Sequence, residues 1–118
     1  MAQYIVLIYG NEQRWDSMSP GEARQIDDGH RAFRAKVGAA ILASGQLEPT
    51  TVAVTVRAGS NGHFLVSDGP FLETKEVVGG FYLVEASDRD EVISFASVLA
   101  EATHDHSGIE ITRLVDHG

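Results

Sequence analysis

Cysteine is absent from this sequence. The absence excludes disulfide-stabilised folds, thiol nucleophiles and metal sites built from thiolates. Basic residues are also few, because 9 Lys and Arg stand against 17 Asp and Glu and give a formal net charge of −8. A surface of that sign repels nucleic-acid phosphates and anionic lipids, so we predict neither a nucleic-acid partner nor a membrane partner.

Long hydrophobic runs are missing as well. The longest, Tyr4–Tyr9, is far too short to span a bilayer. No basic stretch leads into a long apolar segment with a cleavage site, so no signal peptide is predicted and the expected location is cytoplasmic. The 118 residues contain no repeat and no linker rich in Pro, Gly or Ser, which predicts a single domain over residues 1–118.

Four segments have the patterns of strands in a sheet. Gln3–Tyr9 and Phe81–Val84 are continuously apolar, which is typical of strands buried on both faces. Thr51–Arg57 and Ile109–Val115 alternate, as half-buried strands do. An Asn-Gly turn after Thr51–Arg57 predicts a hairpin with a short return strand at His63–Ser67.

Two helices are predicted between these strands. Ser19, Pro20 and Glu22 form an N-terminal capping signal. The apolar stripe that follows consists of Ile26, His30, Phe33, Val37 and Ile41. Gly45 is its expected C-terminal stop. A second helix is predicted from a cap at Ser87, with a stripe of Val92, Phe95, Ala96, Leu99 and Thr103.

The order of elements predicts an α+β fold, a ferredoxin-like β-α-β-β-α-β arrangement with one extra short hairpin strand. Two helices cover only one face of such a sheet. Four or five large apolar side chains exposed to water on the other face would cost on the order of 10 kcal/mol of folding free energy. That cost is comparable to the whole stability of a small domain. We therefore predict a homodimer in which two copies pack through the open sheet face.

His30 is the first candidate for chemistry, because it lies within the apolar stripe of the first helix. A carboxylate on one ring nitrogen would fix the tautomer and leave the other nitrogen free to move a proton. The alternative is a core histidine whose nitrogens are satisfied by backbone groups. Asp68, at the end of the return strand, either orients His30 or polarises a substrate, or caps backbone N–H groups in a turn.

The segments Asp68-Gly69-Pro70-Phe71 and Glu73-Thr74-Lys75-Glu76, with the opening strand and Gly79-Gly80-Phe81-Tyr82, give a resemblance that runs through most of the chain. The sequence resembles the YCII-related family, and more narrowly the branch named for its Asp-Gly-Pro-Phe motif. The resemblance implies a dimeric α+β barrel and a His–Asp pair in a cleft beside the sheet. By motif position that pair is His30 and Asp68.

The family is mostly uncharacterised, but one relative is described as a dehydrochlorinase, and related barrels include lactone isomerases and monooxygenases. The resemblance therefore implies a cofactor-independent enzyme of lyase or isomerase type, acting on a small aromatic or lactone-like molecule. Some members of the branch are linked to extracytoplasmic-function sigma factors. The alternative is a non-catalytic ligand-binding or regulatory module associated with such a factor.

Four further residues are candidates for substrate contact, namely Tyr9, Phe71, Glu73 and Lys75. Tyr9 flanks the first loop, but a place in the core or in the dimer interface explains it equally well. Glu73 and Lys75 follow the motif, where the simpler alternative is a solvated ion pair.

The segment His104-Asp105-His106 offers nitrogen and oxygen ligands for a metal. No third ligand has convincing spacing, and a polar helix terminus explains the segment as well. We predict no metal site and no cofactor.

Overall fold

The computed structural model describes the whole chain, Met1–Gly118. Its strands and α-helices are, in order, β1 (Ala2–Asn11), α1 (Glu12–Asp16), α2 (Pro20–Val37), β2 (Ile41–Gln46), β3 (Val54–Ala58), β4 (Phe64–Asp68), β5 (Glu76–Ala86), α3 (Arg89–Ala96) and β6 (Ser107–Arg113). Three short 3-10 helices lie at Gly38–Ala40, Thr50–Val52 and Ala100–Ala102. None of the helices combines the length and the apolar character that crossing a membrane requires.

Four strands form the main sheet in the order β2-β5-β1-β6, and every neighbouring pair is antiparallel. The two central strands contain the two continuously apolar segments, as predicted, because a central strand has side chains to bury on both faces. The α+β fold class is confirmed. The order of the strands is that of the ferredoxin-like arrangement.

The second strand of this sheet was predicted wrongly. Ile41–Gln46, read from the sequence as the end of the first helix, is the edge strand β2 and pairs with β5. Helix α2 stops at Val37 because Gly38 takes a positive φ of 57°, which a side chain disfavours. Gly45 is therefore not the helix stop. It lies in β2 opposite Phe81, whose ring would stand 3.1 Å from a Cβ at this position.

The strand predicted at Thr51–Arg57 begins later, as β3, because Thr51 and Val52 lie in a 3-10 helix, and it belongs to a separate two-stranded sheet. β3 and β4 pair only with each other, through a turn in which Asn61 and Gly62 both have positive φ, as the Asn-Gly signal predicts. We call Val54–Asp68 the hairpin arm. The arm helps to give the chain a radius of gyration of 16.4 Å, where a compact domain of this length has about 13.5 Å.

The core lies on one face of the main sheet. The buried side chains of β1 and β5 alternate with half-buried ones, as the strand period requires. Those facing α2 and α3 are Tyr4, Val6, Ile8, Tyr82, Val84 and Ala86, and they pack with Phe33, Val37, Val92, Ala96 and Leu99. On the other face Ile5, Leu7, Tyr9, Phe81 and Leu83 are only half-buried. We call these five residues the open sheet face.

The starts of α2 and α3 agree with the capping signals to within one residue, whereas α1 was not predicted. Ser19 Oγ accepts a hydrogen bond from the N–H of Glu22, as predicted for α2. The cap of α3 is Asp88 rather than Ser87, and its carboxylate accepts from the N–H of Glu91. Glu91 in turn accepts from the N–H of Ser87, so both residues take part in the capping box.

Candidate functional site

His30 lies on the side of α2 that faces the sheet, as its place in the apolar stripe predicts. The preceding residue, Gly29, is buried, and a Cβ there would stand 2.9 Å from the carbonyl oxygen of Val98. The absence of a side chain at Gly29 lets α2 approach the segment that follows α3. That approach brings the imidazole of His30 to the 3-10 helix at Ala100–Ala102.

The carboxylate beside His30 belongs to Glu101. Its Oε2 lies 2.7 Å from Nε2 of His30, and only 4% of the residue is exposed. A carboxylate removed from water is costly unless it is paired, and His30 is the only hydrogen-bonding partner of this side chain, since Oε1 has none. The pair therefore favours a proton on the imidazole nitrogen that faces Glu101.

The second ring nitrogen of His30 faces a phenol. Nδ1 lies 2.6 Å from the hydroxyl oxygen of Tyr82, a residue of the central strand β5. The Tyr82 ring packs on Phe33 at 4.2 Å between ring centroids, which fixes its position. Burial raises the pKa of the Tyr82 phenol, and the Glu101 carboxylate adds to the rise while the Arg34 guanidinium opposes it. Tyr82 is thus a neutral hydroxyl at physiological pH.

These side chains border a cleft of about 730 Å³ between α2, α1, the end of β2 and β5. His30 has 18% of its side chain exposed, so water reaches the imidazole. Arg34, one turn along α2, lines the same cleft and forms no ion pair. The cleft therefore combines a Glu101–His30–Tyr82 hydrogen-bonded chain with one free cation.

Trp15 forms a wall of the cleft, and the sequence shows why it fits. Its indole lies over Gly10 and Gly79, where a Cβ would come within 2.2 and 2.6 Å of the ring. The indole Nε1–H donates to Oγ of Ser107 at 2.9 Å. The ring is held on both its apolar and its polar side, as is typical of a rigid wall rather than a mobile lid.

The expected contact between His30 and Asp68 does not form within the chain. Both ring nitrogens of His30 are occupied by Glu101 and Tyr82. Asp68 is the exposed last residue of β4 on the hairpin arm, and its carboxylate makes no hydrogen bond. The turn after it is closed by the backbone instead, with the N–H of Gly69 donating to the carbonyl of Ala53.

The four expected substrate-contact residues lie outside the cleft that His30 borders. Tyr9 borders a second, smaller cleft of about 460 Å³ at the base of the hairpin arm. Phe71 is exposed, and the guanidinium of Arg57 lies 3.9 Å from its ring centroid. Glu73 and Lys75 are exposed and form no ion pair with each other.

Sequence reasoning identified His30 but missed both of its partners. Glu101 had a signal, because it is a single acid within the otherwise small and apolar run Leu99–Ala102. Tyr82 had a weaker signal. It shares the strand phase of Val84, so its hydroxyl was bound to be buried and to need a partner.

Comparison with known proteins shows the family of the chain. The model of the YCII-related domain matches residues 2–115. A protein of Rhizobium meliloti (strain 1021), described as uncharacterised, is 37% identical over 113 residues, which is 94% of this chain and 90% of that protein. The narrower assignment to the Asp-Gly-Pro-Phe branch stays a prediction. The chain belongs to the YCII-related family.

Proposed function

We propose that the protein is a cofactor-independent acid–base enzyme that moves a proton on a small carbonyl-bearing molecule, in an isomerase-type or lyase-type reaction. The observation that carries the proposal is the buried Glu101 carboxylate, 2.7 Å from a ring nitrogen of His30, at a cleft open to water. A carboxylate in that position orients an imidazole and stabilises the imidazolium that forms when the ring accepts a proton. Glu101 takes the role that the sequence assigned to Asp68.

Proton transfer runs through Tyr82. The Tyr82 oxygen takes a proton from a carbon next to the substrate carbonyl while its own proton passes to Nδ1 of His30. The electron pair of the broken C–H bond moves to the carbonyl oxygen and forms an enolate, and Glu101 stabilises the resulting imidazolium. Reversal of the relay at a different carbon completes an isomerisation. Loss of a leaving group from the enolate completes an elimination.

Arg34 supports an anionic intermediate in this cleft. Its guanidinium lowers the pKa of the Tyr82 phenol, so it lies close to that group. It has no carboxylate partner and is therefore available to the developing enolate oxygen. Fixed positive charge where negative charge develops is a large contribution to many enzymatic rates. The flat indole of Trp15 borders the same space and suits an aromatic or lactone ring.

The test is exchange of substrate hydrogen for solvent deuterium, which reports proton abstraction whatever the final product. A panel of small unsaturated lactones and cyclic ketones is incubated with the protein in D₂O and followed by proton NMR. We expect exchange with at least one compound, and a loss of about 100-fold in rate for Glu101→Gln and for Tyr82→Phe. Asp90→Asn, a matched loss of charge on α3, should leave the rate unchanged.

Two outcomes would overturn the assignment. If a compound binds at the cleft and shifts the resonances of Trp15 but does not exchange, the protein is a ligand-binding module, as the sigma-factor alternative holds. If Asp68→Asn abolishes exchange while Glu101→Gln does not, the His–Asp pair of the sequence analysis is restored across two subunits. Circular dichroism of each variant separates loss of chemistry from loss of fold.

We also propose that two copies pair through the open sheet face. Its five half-buried side chains lie on the central strands β1 and β5, where burial stabilises most. Full burial of an exposed side chain of this kind contributes roughly 1.5 to 3 kcal/mol, so covering each half-buried one would contribute a part of that. The hairpin arm adds a second uncovered apolar surface, because Val54, Val56, Phe64 and Val66 share one face of it and each is at least 60% exposed. A two-stranded hairpin is marginal by itself, which favours a partner surface for this face too.

A further inference from the structure

The second cluster of titratable groups lies where α2 begins, away from the proposed proton relay. Glu22 in the first turn of α2 meets His104 and His106, which precede β6. Each offers one ligand atom, and these three atoms all lie within 4.8 Å of one another. Ligands of a tetrahedral zinc stand roughly 3.3 Å apart, so side-chain shifts of about 1 Å would close the site.

Both histidines have one ring nitrogen engaged outside the cluster. Nε2 of His104 lies 3.1 Å from Oε1 of Gln25, and Nδ1 of His106 lies 2.8 Å from Oγ of Ser107. The Gln25 oxygen accepts from Nε2 of His104 and leaves a lone pair on Nδ1, and the Ser107 hydroxyl is able to accept from Nδ1 of His106 in the same way. Metal-binding histidines are almost always supported in this way.

The nitrogens that remain lack adequate partners in the protein. Nδ1 of His104 is buried and has no hydrogen-bond partner. Nε2 of His106 has only the carboxylate of Glu22 as a partner, at a long 3.4 Å. Water does not replace it, because only 3% of the His106 side chain is exposed. A buried imidazole nitrogen without a partner costs free energy, and a metal ion would satisfy both rings at once.

We propose that Glu22, His104 and His106 form a binding site for a divalent transition metal, of which zinc fits best. Two imidazoles and one carboxylate are a ligand set that zinc accepts, with a fourth position left for water. The third ligand was not visible in the sequence, because Glu22 is more than eighty positions from His106 along the chain. The net charge of −8 also favours a cation.

A metal here would join the first turn of α2 to the start of β6. The backbone of His106 is already fixed, since its carbonyl accepts the N–H of Asn11 at the end of β1. Metal binding would therefore stabilise the folded chain and raise its melting temperature. This inference is independent of the proposed acid–base chemistry.

The test is a zinc titration of the metal-free full-length chain, followed by calorimetry and by melting temperature. Cobalt(II) absorption serves as a second readout of the ligand set. We expect one zinc per chain, and a loss of at least about tenfold in affinity for His104→Ala and for Glu22→Gln. Binding should weaken in acid, because protons compete with the metal for its ligand atoms.

Matched controls separate this site from general attraction of cations to an acidic surface. Asp105→Asn removes a neighbouring exposed carboxylate that pairs with Arg14 at 3.5 Å, and His117→Ala removes a terminal imidazole. Both should bind zinc as the wild type does. Absence of saturable binding up to about 100 µM zinc, or equal losses in the controls and in Glu22→Gln, would overturn the proposal. Circular dichroism confirms that each variant is folded.

Discussion

The hairpin arm differs in burial from the four-stranded sheet and its helices. Both regions contain similar apolar residues, but these are buried in the sheet and exposed on the arm. Phe33, under the main sheet, is fully buried, whereas Phe64, on the arm, is 70% exposed. The main sheet has helices packed on one face, while Thr55 is the only buried residue in the strands of the arm. Apolar content therefore does not by itself create a core. A strand buries its side chains only where another layer lies over it.

The largest expected effect comes from truncating the two phenylalanines. Phe33→Ala should cost about 3–5 kcal/mol of unfolding free energy, because it leaves a cavity in the core beside Tyr82. Phe64→Ala should cost no more than about 0.5 kcal/mol in the isolated chain. Urea unfolding followed by circular dichroism, at several protein concentrations, measures both. Equal losses at the lowest concentration would show that the arm is packed in the single chain.

Self-association tests the arm's apolar face directly. Val56→Thr combined with Phe64→Thr should weaken dimerisation by at least about tenfold, since each removes apolar surface that a second copy would cover. Leu65→Thr, on the opposite face of β4, is the matched control and should leave dimerisation unchanged. Sedimentation velocity over a range of concentrations distinguishes them. A wild type that stays monomeric at about 100 µM would exclude the dimer.

The open sheet face offers a smaller but complementary test. Leu83→Ala should weaken dimerisation while costing the isolated chain about 1 kcal/mol or less, because this side chain is only half-buried there. The matched substitution Val84→Ala, on the helix-covered face of the same strand, should destabilise the chain itself. Identical effects of the two substitutions on unfolding at low concentration would contradict the assignment of the two faces.

The smallest effect concerns the link between the two regions. The Glu12 carboxylate accepts hydrogen bonds from Oγ1 of Thr50 at 2.6 Å and from its N–H at 2.9 Å, just before the arm. These bonds lower the pKa of Glu12 below its ordinary value of 4.5, with the side-chain bond first in effect and burial opposing.

A carboxyl group whose pKa is lowered by folding stabilises the fold above its ordinary pKa, and this contribution is lost as the pH falls through the lowered value. Wild type should therefore exceed Glu12→Gln in stability at pH 7 by less than about 1 kcal/mol, since water still reaches this carboxylate. The difference should shrink in urea unfolding at acidic pH. Glu48→Gln, which removes a nearby exposed acid that accepts no such hydrogen bonds, is the matched control and should leave stability at pH 7 unchanged.

The errors in the sequence analysis have a common physical cause. Ile41–Gln46 continues the helical spacing of Val37 and contains good helix formers, yet it is a strand because β5 offers it backbone partners. Thr51–Arg57 has the stronger strand pattern, yet it joins only β4. Local pattern identified a hairpin there correctly. Which strand pairs with the main sheet depends on contacts between distant segments.

The candidate site was likewise predicted only in the part that local pattern determines. His30 was identified from its place in an apolar stripe, because that stripe must face the sheet. Its partners were not, since Glu101 is 71 positions away and Tyr82 is 52. The carboxylate selected by motif, Asp68, lies instead on the arm.

The sequence alone determined the α+β class, the two central strands, the starts of α2 and α3, the Asn-Gly hairpin and the inward position of His30. Each follows from local periodicity, capping or turn chemistry, which act over a few neighbouring residues. Only the tertiary structure decided the edge strand β2, the separate sheet of the arm, the carboxylate that meets His30 and the approach of Glu22 to two histidines. These depend on which distant segments pack together to bury apolar surface and satisfy backbone hydrogen bonds, a choice that no short stretch of sequence contains.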